Sequence, residues 1–161
     1  NCHLIVGLGE TDRDLVEMFH LLKSEQIAAY LFSFNPEPGT VMENAPRVPI
    51  ARTRRIQLVK NLIESHDLKE EAIEFDDNGA IRSIDAPLEL LDRVTNQGVA
   101  FMTDGCPDRQ GEMACNRPYG SYRPGEEFRD YPFLPQASDL EVIRGEMKLD
   151  EVTKTEASAV A

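Results

Sequence analysis

The order of apolar runs along residues 1–65 limits the fold more than any other feature of this sequence. A short apolar run at Leu4–Leu8 precedes a stretch with helical apolar spacing that extends to about Glu25. A second apolar run, Ala28–Phe34, precedes another amphipathic stretch at about Pro49–Ser65. Strand–helix–strand–helix is the order of parallel α/β units. We therefore predict two adjacent parallel strands joined by a right-handed crossover.

Local signals mark where both helices begin. Thr11, followed by Asp14 three residues later, is typical of a capping box, and Pro49 suits the first turn of a helix. The residues expected to face the core are Leu15, Met18, Phe19 and Leu22 in the first helix and Ile56, Val59, Leu62 and Ile63 in the second.

The pattern changes after the second helix. The alternating stretch Ala72–Ile84 is centred on Asp77-Asn78-Gly79, which predicts a β-hairpin. A short helix is expected at about Pro87–Thr95, with Gly98 beyond its end, and Val99–Met102 is predicted to be one more strand. The apolar residues of the short helix are Leu88, Leu91 and Val94.

The remainder of the chain has a different character. Residues 103–135 show no apolar periodicity, so we expect a long irregular extension. A last helix is predicted near Ser138, whose spacing with Glu141 is a capping signal. From Leu149 the polar sequence predicts a frayed terminus. The predicted organisation is an α/β part at 1–102, an extension at 103–148 and a disordered tail at 149–161.

Charge and cysteine content exclude several classes of function. The formal net charge of −12 would repel a phosphate backbone, so nucleic-acid binding is not expected. No run approaches the roughly 20 apolar residues of a membrane-spanning helix, and no signal peptide is recognisable. We therefore expect a cytoplasmic protein without membrane attachment. Three cysteines are an odd number, which favours a metal site or free thiols over a disulfide framework.

One group of residues suited to chemistry follows the first strand. Gly7, Leu8 and Gly9 precede Glu10 there. Glycines at the C-terminal end of a parallel strand let a ligand approach the backbone, and a carboxylate beside them can accept hydrogen bonds from hydroxyl or amino groups. The alternative is a strand-to-helix turn that uses glycine only for its backbone dihedral angles.

The second group is the pair Cys106 and Cys115 within the extension. An irregular segment of about 30 residues is unusual in a compact domain unless something holds it. Two thiolates bound to a soft metal or an iron–sulfur cluster would do so, and Arg117 would offset their negative charge. The alternative is two unpaired thiols in an ordered loop, because two cysteines do not complete a four-ligand site.

These residues resemble those of radical S-adenosylmethionine (SAM) enzymes. The segment His3-Leu4-Ile5-Val6-Gly7-Leu8-Gly9-Glu10-Thr11 is similar to the G-x-I-x-G-x-x-E segment of their fifth barrel strand, especially in the biotin synthase and lipoyl synthase-like branch, with His3 where Gly is frequent. Residues 31–40 resemble the sixth strand and its loop. Gly105-Cys106-Pro107 and Cys115-Asn116-Arg117-Pro118-Tyr119 resemble the C-terminal motif of two-component lipoyl synthases. The resemblance spans about residues 1–135.

The resemblance implies a fold and a set of ligand contacts. The fold would be the C-terminal part of a partial TIM-type β/α barrel, followed by a long irregular extension that contains cysteines. Ile5 would touch the adenine of SAM, with Gly7 and Glu10 close beneath it. Cys106 and Cys115 would help to ligate an auxiliary iron–sulfur cluster that supplies sulfur. The residues implied to contact SAM are Ile5, Gly7, Glu10, Phe32, Ser33 and Phe34.

The resemblance also implies a larger parent enzyme. The C-x-x-x-C-x-x-C motif that binds the SAM-cleaving 4Fe–4S cluster is absent from the 161 residues, so the chain alone is expected to be inactive. In the same register a cluster-ligating cysteine of biotin synthase aligns with Asn1, and Cys2 is one residue away, so Cys2 is not assigned as a ligand.

The implied reaction is that of a lipoyl synthase. The parent would reduce SAM to methionine and a 5′-deoxyadenosyl radical and would insert sulfur into a protein-bound octanoyl chain. Its partners would be an octanoylated lipoyl-carrier protein and a paired radical SAM subunit. The alternatives are a biotin synthase-like enzyme and a non-catalytic metal-binding module in which Cys106 and Cys115 belong to a structural zinc site.

Overall fold

A computed structural model describes residues 1–110, 113–115 and 127–153 of the chain. The first strand, β1 (Cys2–Val6), lies parallel to the second, β2 (Ala29–Ser33), with Cys2 opposite Ala29 and Val6 opposite Ser33. Helix α1 (Asp12–Ser24) connects the two strands, and α2 (Ile50–His66) follows them. The prediction of two adjacent parallel strands is therefore confirmed.

The other elements are shorter. Within the described residues the strands form three separate two-stranded sheets, two of them antiparallel. Two parallel strands are too few to define a barrel, so the barrel stays a prediction. The remaining elements are β3 (Ile73–Phe75), β4 (Ile81–Ile84), α3 (Leu88–Gln97), β5 (Cys106–Pro107), β6 (Met113–Cys115) and α4 (Ala137–Met147), with 3-10 turns at Glu70–Ala72, Val99–Phe101 and Leu149–Glu151.

The structure confirms the predicted helix cap at Thr11, the hairpin turn at Gly79 and the helix end at Gly98. The Thr11 side chain accepts a hydrogen bond from the Asp14 N–H at 3.1 Å, and Asp14 Oδ2 accepts one from the Thr11 N–H at 2.7 Å. The turn at Gly79 joins β3 to β4, and Gly98 ends α3 with a φ of 71°. Each signal acts within four residues, which is why sequence alone reveals it.

Helix α2 is at the centre of the packing. It lies against α1, α3, α4 and the 3-10 turn Val99–Phe101. Within the described residues no helix is both long enough and apolar enough to cross a bilayer. The apolar side chains that α1 and α2 bury are Leu15, Val16, Phe19, Leu22, Ile56, Leu58, Val59, Leu62 and Ile63.

Three predictions about secondary structure are wrong in detail. Strand β1 ends at Val6 rather than Leu8, because Gly7 has a φ of 108° and leaves the extended region. Val99–Phe101 is a 3-10 turn rather than a strand, since Gly98 begins a series of short-range hydrogen bonds; Met102 alone makes an isolated bridge. Met18, expected to face the core, is 37% exposed.

The C-terminal predictions also need correction. Helix α4 begins at Ala137 and is capped by Gln136 with Asp139, not by Ser138 with Glu141. Residues 149–153, predicted to be disordered, are ordered: Val152 is 3% exposed and its carbonyl accepts a 2.7 Å hydrogen bond from the Ile84 N–H. Two contacts account for this order. The Val152 side chain is buried, and the Ile84 N–H at the edge of β4 needs a hydrogen-bond acceptor, which the Val152 carbonyl provides. Residues 154–161 lie outside the described residues.

Candidate functional site

The C-terminal ends of β1 and β2 lie side by side. Val6 is opposite Ser33, and the Phe34 N–H donates to the Val6 carbonyl at 2.8 Å, so the ladder extends one residue beyond β2. The glycine turn begins at the next residue of β1. Ligands of parallel α/β proteins bind at this end of the strands, because the loops that follow them converge there.

One face of this parallel pair is covered only in part. Side chains alternate along β1, so that Cys2, Leu4 and Val6 face the helices while His3 and Ile5 face away. The His3 ring stacks on Tyr30 with centroids 5.4 Å apart and tilts against Phe32 at 5.2 Å, and Ile5 is 48% exposed. Parallel sheets are normally covered on both faces, so this aromatic face is suited to a ligand or to further structure.

An open cavity of about 400 Å³ lies on this face. Ile5, Phe32, Ser33 and Phe34, predicted from the resemblance to contact SAM, line it together with His3 and Asn35. Gly7 and Glu10, the other two predicted residues, belong to the adjoining turn. The volume is within the range of roughly 300–1,000 Å³ that small-molecule sites occupy.

Glu10 closes the glycine turn with its own carboxylate. Its Oε1 accepts from the Gly7 N–H at 2.7 Å, and its Oε2 accepts from the Leu8 N–H at 2.8 Å. Arg52 Nη2 donates to the same Oε1 at 3.0 Å and to the Glu10 carbonyl at 2.9 Å. Glu10 therefore has a structural function in the turn, and its contact with a ligand stays a prediction.

Gly7 is required by the protein's own packing. A Cβ at this position would lie 2.2 Å from Val48 Cγ2 and 3.3 Å from Phe34 Cβ, and the φ of 108° disfavours any L side chain. The turn interpretation of the glycine motif is thus sufficient to explain Gly7. Close approach of a ligand is an additional prediction.

The β3–β4 hairpin supports the same turn. Arg52 Nε donates to Asp12 Oδ1 at 2.6 Å, and Asp12 Oδ2 accepts from the Ile81 N–H at 3.0 Å. The Arg13 N–H also donates to the Gly79 carbonyl at 3.0 Å. Sequence reasoning missed Arg52, because its partner Glu10 is 42 residues away and no local signal connects them.

A buried arginine anchors the return of the extension to the core. Arg54 is 0% exposed and donates to the Phe128 and Arg129 carbonyls, at 2.6 Å each. It also donates to Glu146 Oε2 at 2.8 Å. Gln57 Nε2 donates to the Arg129 carbonyl at 2.8 Å and to Asp130 Oδ1 at 2.7 Å. Residues 127–131 are therefore bound to α2 mainly by polar groups, which apolar periodicity does not reveal.

Arg129 completes this anchor from the opposite side. It donates to Thr53 Oγ1 at 2.9 Å and to both the Val48 carbonyl and Glu127 Oε2 at 2.6 Å. Burial lowers the pKa of the Arg129 guanidinium; Glu127 opposes that shift, while Arg47 and Arg54 add to it.

The two predicted metal ligands lie on opposite strands of a small hairpin. Cys106 in β5 is the direct partner of Cys115 in β6. Arg117, proposed to offset the charge of their thiolates, lies outside the described residues. No group of three or more potential ligands among His, Cys, Asp and Glu occurs in the described ranges, so a four-ligand site is not complete there.

Acidic side chains occupy the outer edge of β2. The Ala29 N–H donates to Glu64 Oε1 and the Leu31 N–H to Asp104 Oδ2, both at 3.3 Å. Lys60 Nζ lies 2.9 Å from a carboxylate oxygen of each acid. Burial acts to lower the pKa of Lys60, but Asp104 and Glu64 together outweigh it and raise that pKa above its usual value.

The raised pKa of Lys60 gives a pH-dependent contribution to stability. Because the folded state binds the proton more tightly, the stabilisation is complete below the usual pKa of 10.5 and is lost as the pH rises through the folded value. We expect the difference in unfolding free energy between the wild type and Lys60→Met to shrink above about pH 10.5 in urea titrations. In an Asp104→Asn, Glu64→Gln background that alkaline decrease should disappear. A difference that stays constant into strong alkali would contradict the assignment.

Comparison with protein-family models, with curated proteins and with solved structures found no match to this chain. Its family is therefore a prediction that depends on the residues themselves.

Proposed function

We propose that this chain is the C-terminal part of a radical SAM enzyme of the biotin synthase and lipoyl synthase-like branch. The parent would be a cytoplasmic lipoyl synthase that inserts sulfur into a protein-bound octanoyl chain. The observation that carries the proposal is the open cavity at the C-terminal ends of β1 and β2. Its lining includes Ile5, Phe32, Ser33 and Phe34, residues that the resemblance assigns to the adenosyl group.

The chemistry of the cavity suits an adenosyl group. Ile5 offers an exposed aliphatic surface, and the His3 and Phe32 rings lie beside it. A purine ring is planar and stacks on such surfaces, while its polar edge requires hydrogen bonds from nearby backbone or side chains. The lining also includes Ser33 and Asn35, which have polar side chains.

The glycine turn would form one end of the pocket. Glu10 and Arg52 hold the Gly7 and Leu8 amide groups in one orientation, so the turn is already ordered without a ligand. When part of a binding site is already ordered, ligand binding costs less conformational entropy. In the proposal, Gly7 and Glu10 lie next to the adenosyl group while they also maintain this turn.

The cysteine hairpin would hold part of the auxiliary cluster. Cys106 and Cys115 are direct cross-strand partners, which suits two ligands of one metal centre. When bound, the SAM-cleaving cluster would supply an electron to SAM and the auxiliary cluster would supply sulfur. In this proposal the parent acts on an octanoylated lipoyl-carrier protein together with a paired radical SAM subunit.

A structural zinc module is the second candidate, and the same cross-strand pair favours it. Metal analysis distinguishes the two candidates. Iron–sulfur clusters absorb visible light through charge transfer, whereas a zinc–thiolate site does not. Zinc without iron in the anaerobically purified parent would support the module and exclude the auxiliary cluster.

The activity test requires the parent polypeptide. After anaerobic reconstitution with iron and sulfide, we expect SAM and a strong reductant to give 5′-deoxyadenosine, and an octanoylated carrier peptide to gain sulfur. Dethiobiotin in place of the peptide tests the biotin synthase-like alternative. The 161-residue chain should give no 5′-deoxyadenosine. Absence of SAM cleavage by a parent that contains iron would reject the proposal.

A matched pair of variants tests the cavity itself. Ile5→Arg in the parent places a charge in the proposed adenine site. It is expected to weaken SAM binding by about tenfold or more, because bound adenine would cover the charge and remove it from water, at a cost above about 1.4 kcal/mol. Leu21→Arg is the control, because Leu21 is similarly exposed but lies on α1. Equal SAM affinities of the two variants in equilibrium dialysis would place the ligand elsewhere.

A further inference from the structure

We propose that Cys106 and Cys115 are a redox-active pair. When no metal is bound to them, oxidised glutathione oxidises the two cysteines to a reversible disulfide with each other. This inference goes beyond the proposed function and does not depend on it. Its basis is the position of the two cysteines in one hairpin, where Cys106 of β5 is paired directly with Cys115 of β6.

The backbone register satisfies the distance requirement of a disulfide. Residues directly opposite each other in an antiparallel ladder have Cα atoms about 4.5–5.5 Å apart. Disulfides join residues whose Cα atoms are usually about 4.4–6.8 Å apart. The direct register of Cys106 with Cys115 is therefore compatible with a disulfide. The register shift beside Cys106 also makes the ladder locally irregular, so it leaves freedom for small adjustments.

The hairpin has structure of its own that does not require the bond. Asp108 Oδ1 accepts a hydrogen bond from the Gln110 N–H at 2.8 Å and so stabilises the turn that follows β5. Gly105, with a φ of 64°, sets the direction in which the chain enters β5. Because these features are local, we expect the reduced pair to be held near each other already.

Cys2 provides an internal comparison. It lies in β1, where its register partner is Ala29, and it is a free, partly exposed cysteine. A general sensitivity of thiols to oxidants would modify all three cysteines. The proposal predicts that intramolecular oxidation is limited to Cys106 and Cys115.

The reaction is two successive thiol–disulfide exchanges. The thiolate of one cysteine attacks oxidised glutathione, forms a mixed disulfide and releases one reduced glutathione. The thiolate of the other cysteine then displaces the second glutathione and forms the Cys106–Cys115 bond. The protein loses two hydrogen atoms in total, and its two electrons reduce one glutathione disulfide to two thiols.

The test uses the whole chain, reduced and freed of metal with a chelator, then incubated anaerobically with mixtures of oxidised and reduced glutathione. Alkylation traps the remaining thiols before digestion with trypsin. Arg109 lies between the two cysteines, and Arg13 follows Cys2, so each cysteine is in a different tryptic peptide. The Arg117–Pro118 and Arg123–Pro124 bonds resist trypsin, which leaves Cys115 in a single peptide that ends at Arg129.

We expect the peptides of Cys106 and Cys115 to be joined in oxidised samples and separated again by reduction, with the Cys2 peptide in no cross-link. In Cys115→Ser, Cys106 should stop at the mixed disulfide with glutathione; Cys2→Ser should leave the cross-link unchanged. Alkylation of both cysteines, or stable mixed disulfides at both in the wild type, would overturn the proposal. A chain that binds metal but fails this test would leave the proposed function intact, and a chain that forms the disulfide but binds no metal would refute only the metal site.

Discussion

Replacement of Arg54 by Met is expected to lower the free energy of unfolding by about 3–5 kcal/mol, the usual cost of removing one partner from a buried charged network. The substitution keeps most of the side-chain volume but removes the donors to the Phe128 and Arg129 carbonyls. A buried polar group that loses a hydrogen-bond donor costs up to about 1–3 kcal/mol, and the Arg129 carbonyl would keep its 2.8 Å hydrogen bond from Gln57 Nε2. Glu146 would also lose its 2.8 Å contact with the guanidinium. Urea titration followed by circular dichroism measures the change.

Arg144→Met is the matched control. Arg144 also forms an ion pair with an acid, Asp92, at 3.2 Å, but its side chain is 39% exposed. Such surface pairs contribute about 0–1 kcal/mol. Hydrogen exchange gives a second measurement: in Arg54→Met the Thr103 and Tyr131 amides, which pair residues 127–131 with the chain around Phe101, should lose protection. Equal destabilisation by the two substitutions, with unchanged exchange, would show that Arg54 is not the anchor.

Gly7→Ala is expected to destabilise the protein by about 2–6 kcal/mol, because two separate costs add. The backbone at a φ of 108° is strained for alanine, at about 1–3 kcal/mol. The new Cβ would also meet Val48 Cγ2 at 2.2 Å, and Val48 is buried, so that overpacking adds about 1–3 kcal/mol. Thermal and urea unfolding of purified variants would give the sum.

Gly9→Ala separates the two costs. Its φ of 115° is similar, but no heavy atom lies within 4 Å of the position its Cβ would take. It should therefore show the backbone cost alone. The double variant Gly7→Ala, Val48→Ala should be more stable than the sum of the single changes predicts, since it removes the methyl group that collides. If Gly7→Ala costs no more than Gly9→Ala, the contact with Val48 does not matter for stability.

Local patterns were sufficient for much of the fold. The strand and helix periods, the Thr11 capping box and the turn ending at Gly79 all arise from residues within one or two turns of each other. The errors occur where local signals compete, as at Ser138, where the cap belongs instead to Gln136 and Asp139. Val152 shows another limit: one apolar residue in a polar tail has no periodicity, although the fold buries it.

The sequence by itself determined that Ile5 and Phe32 belong to two neighbouring parallel strands, and the structure places them directly opposite each other. Only the tertiary structure shows that these two residues line one cavity together with His3 and Asn35. That Cys106 and Cys115 ligate one metal centre stays a prediction from the resemblance, and their cross-strand register is found only in the structure. The functions of Arg52 and Arg54 were decided by tertiary structure alone. Their partners are 42 and 74 residues distant, at Glu10 and Phe128. The sequence around a charged residue on a helix does not show which residue it will contact. Tertiary packing and the need to satisfy buried polar groups determine that partner.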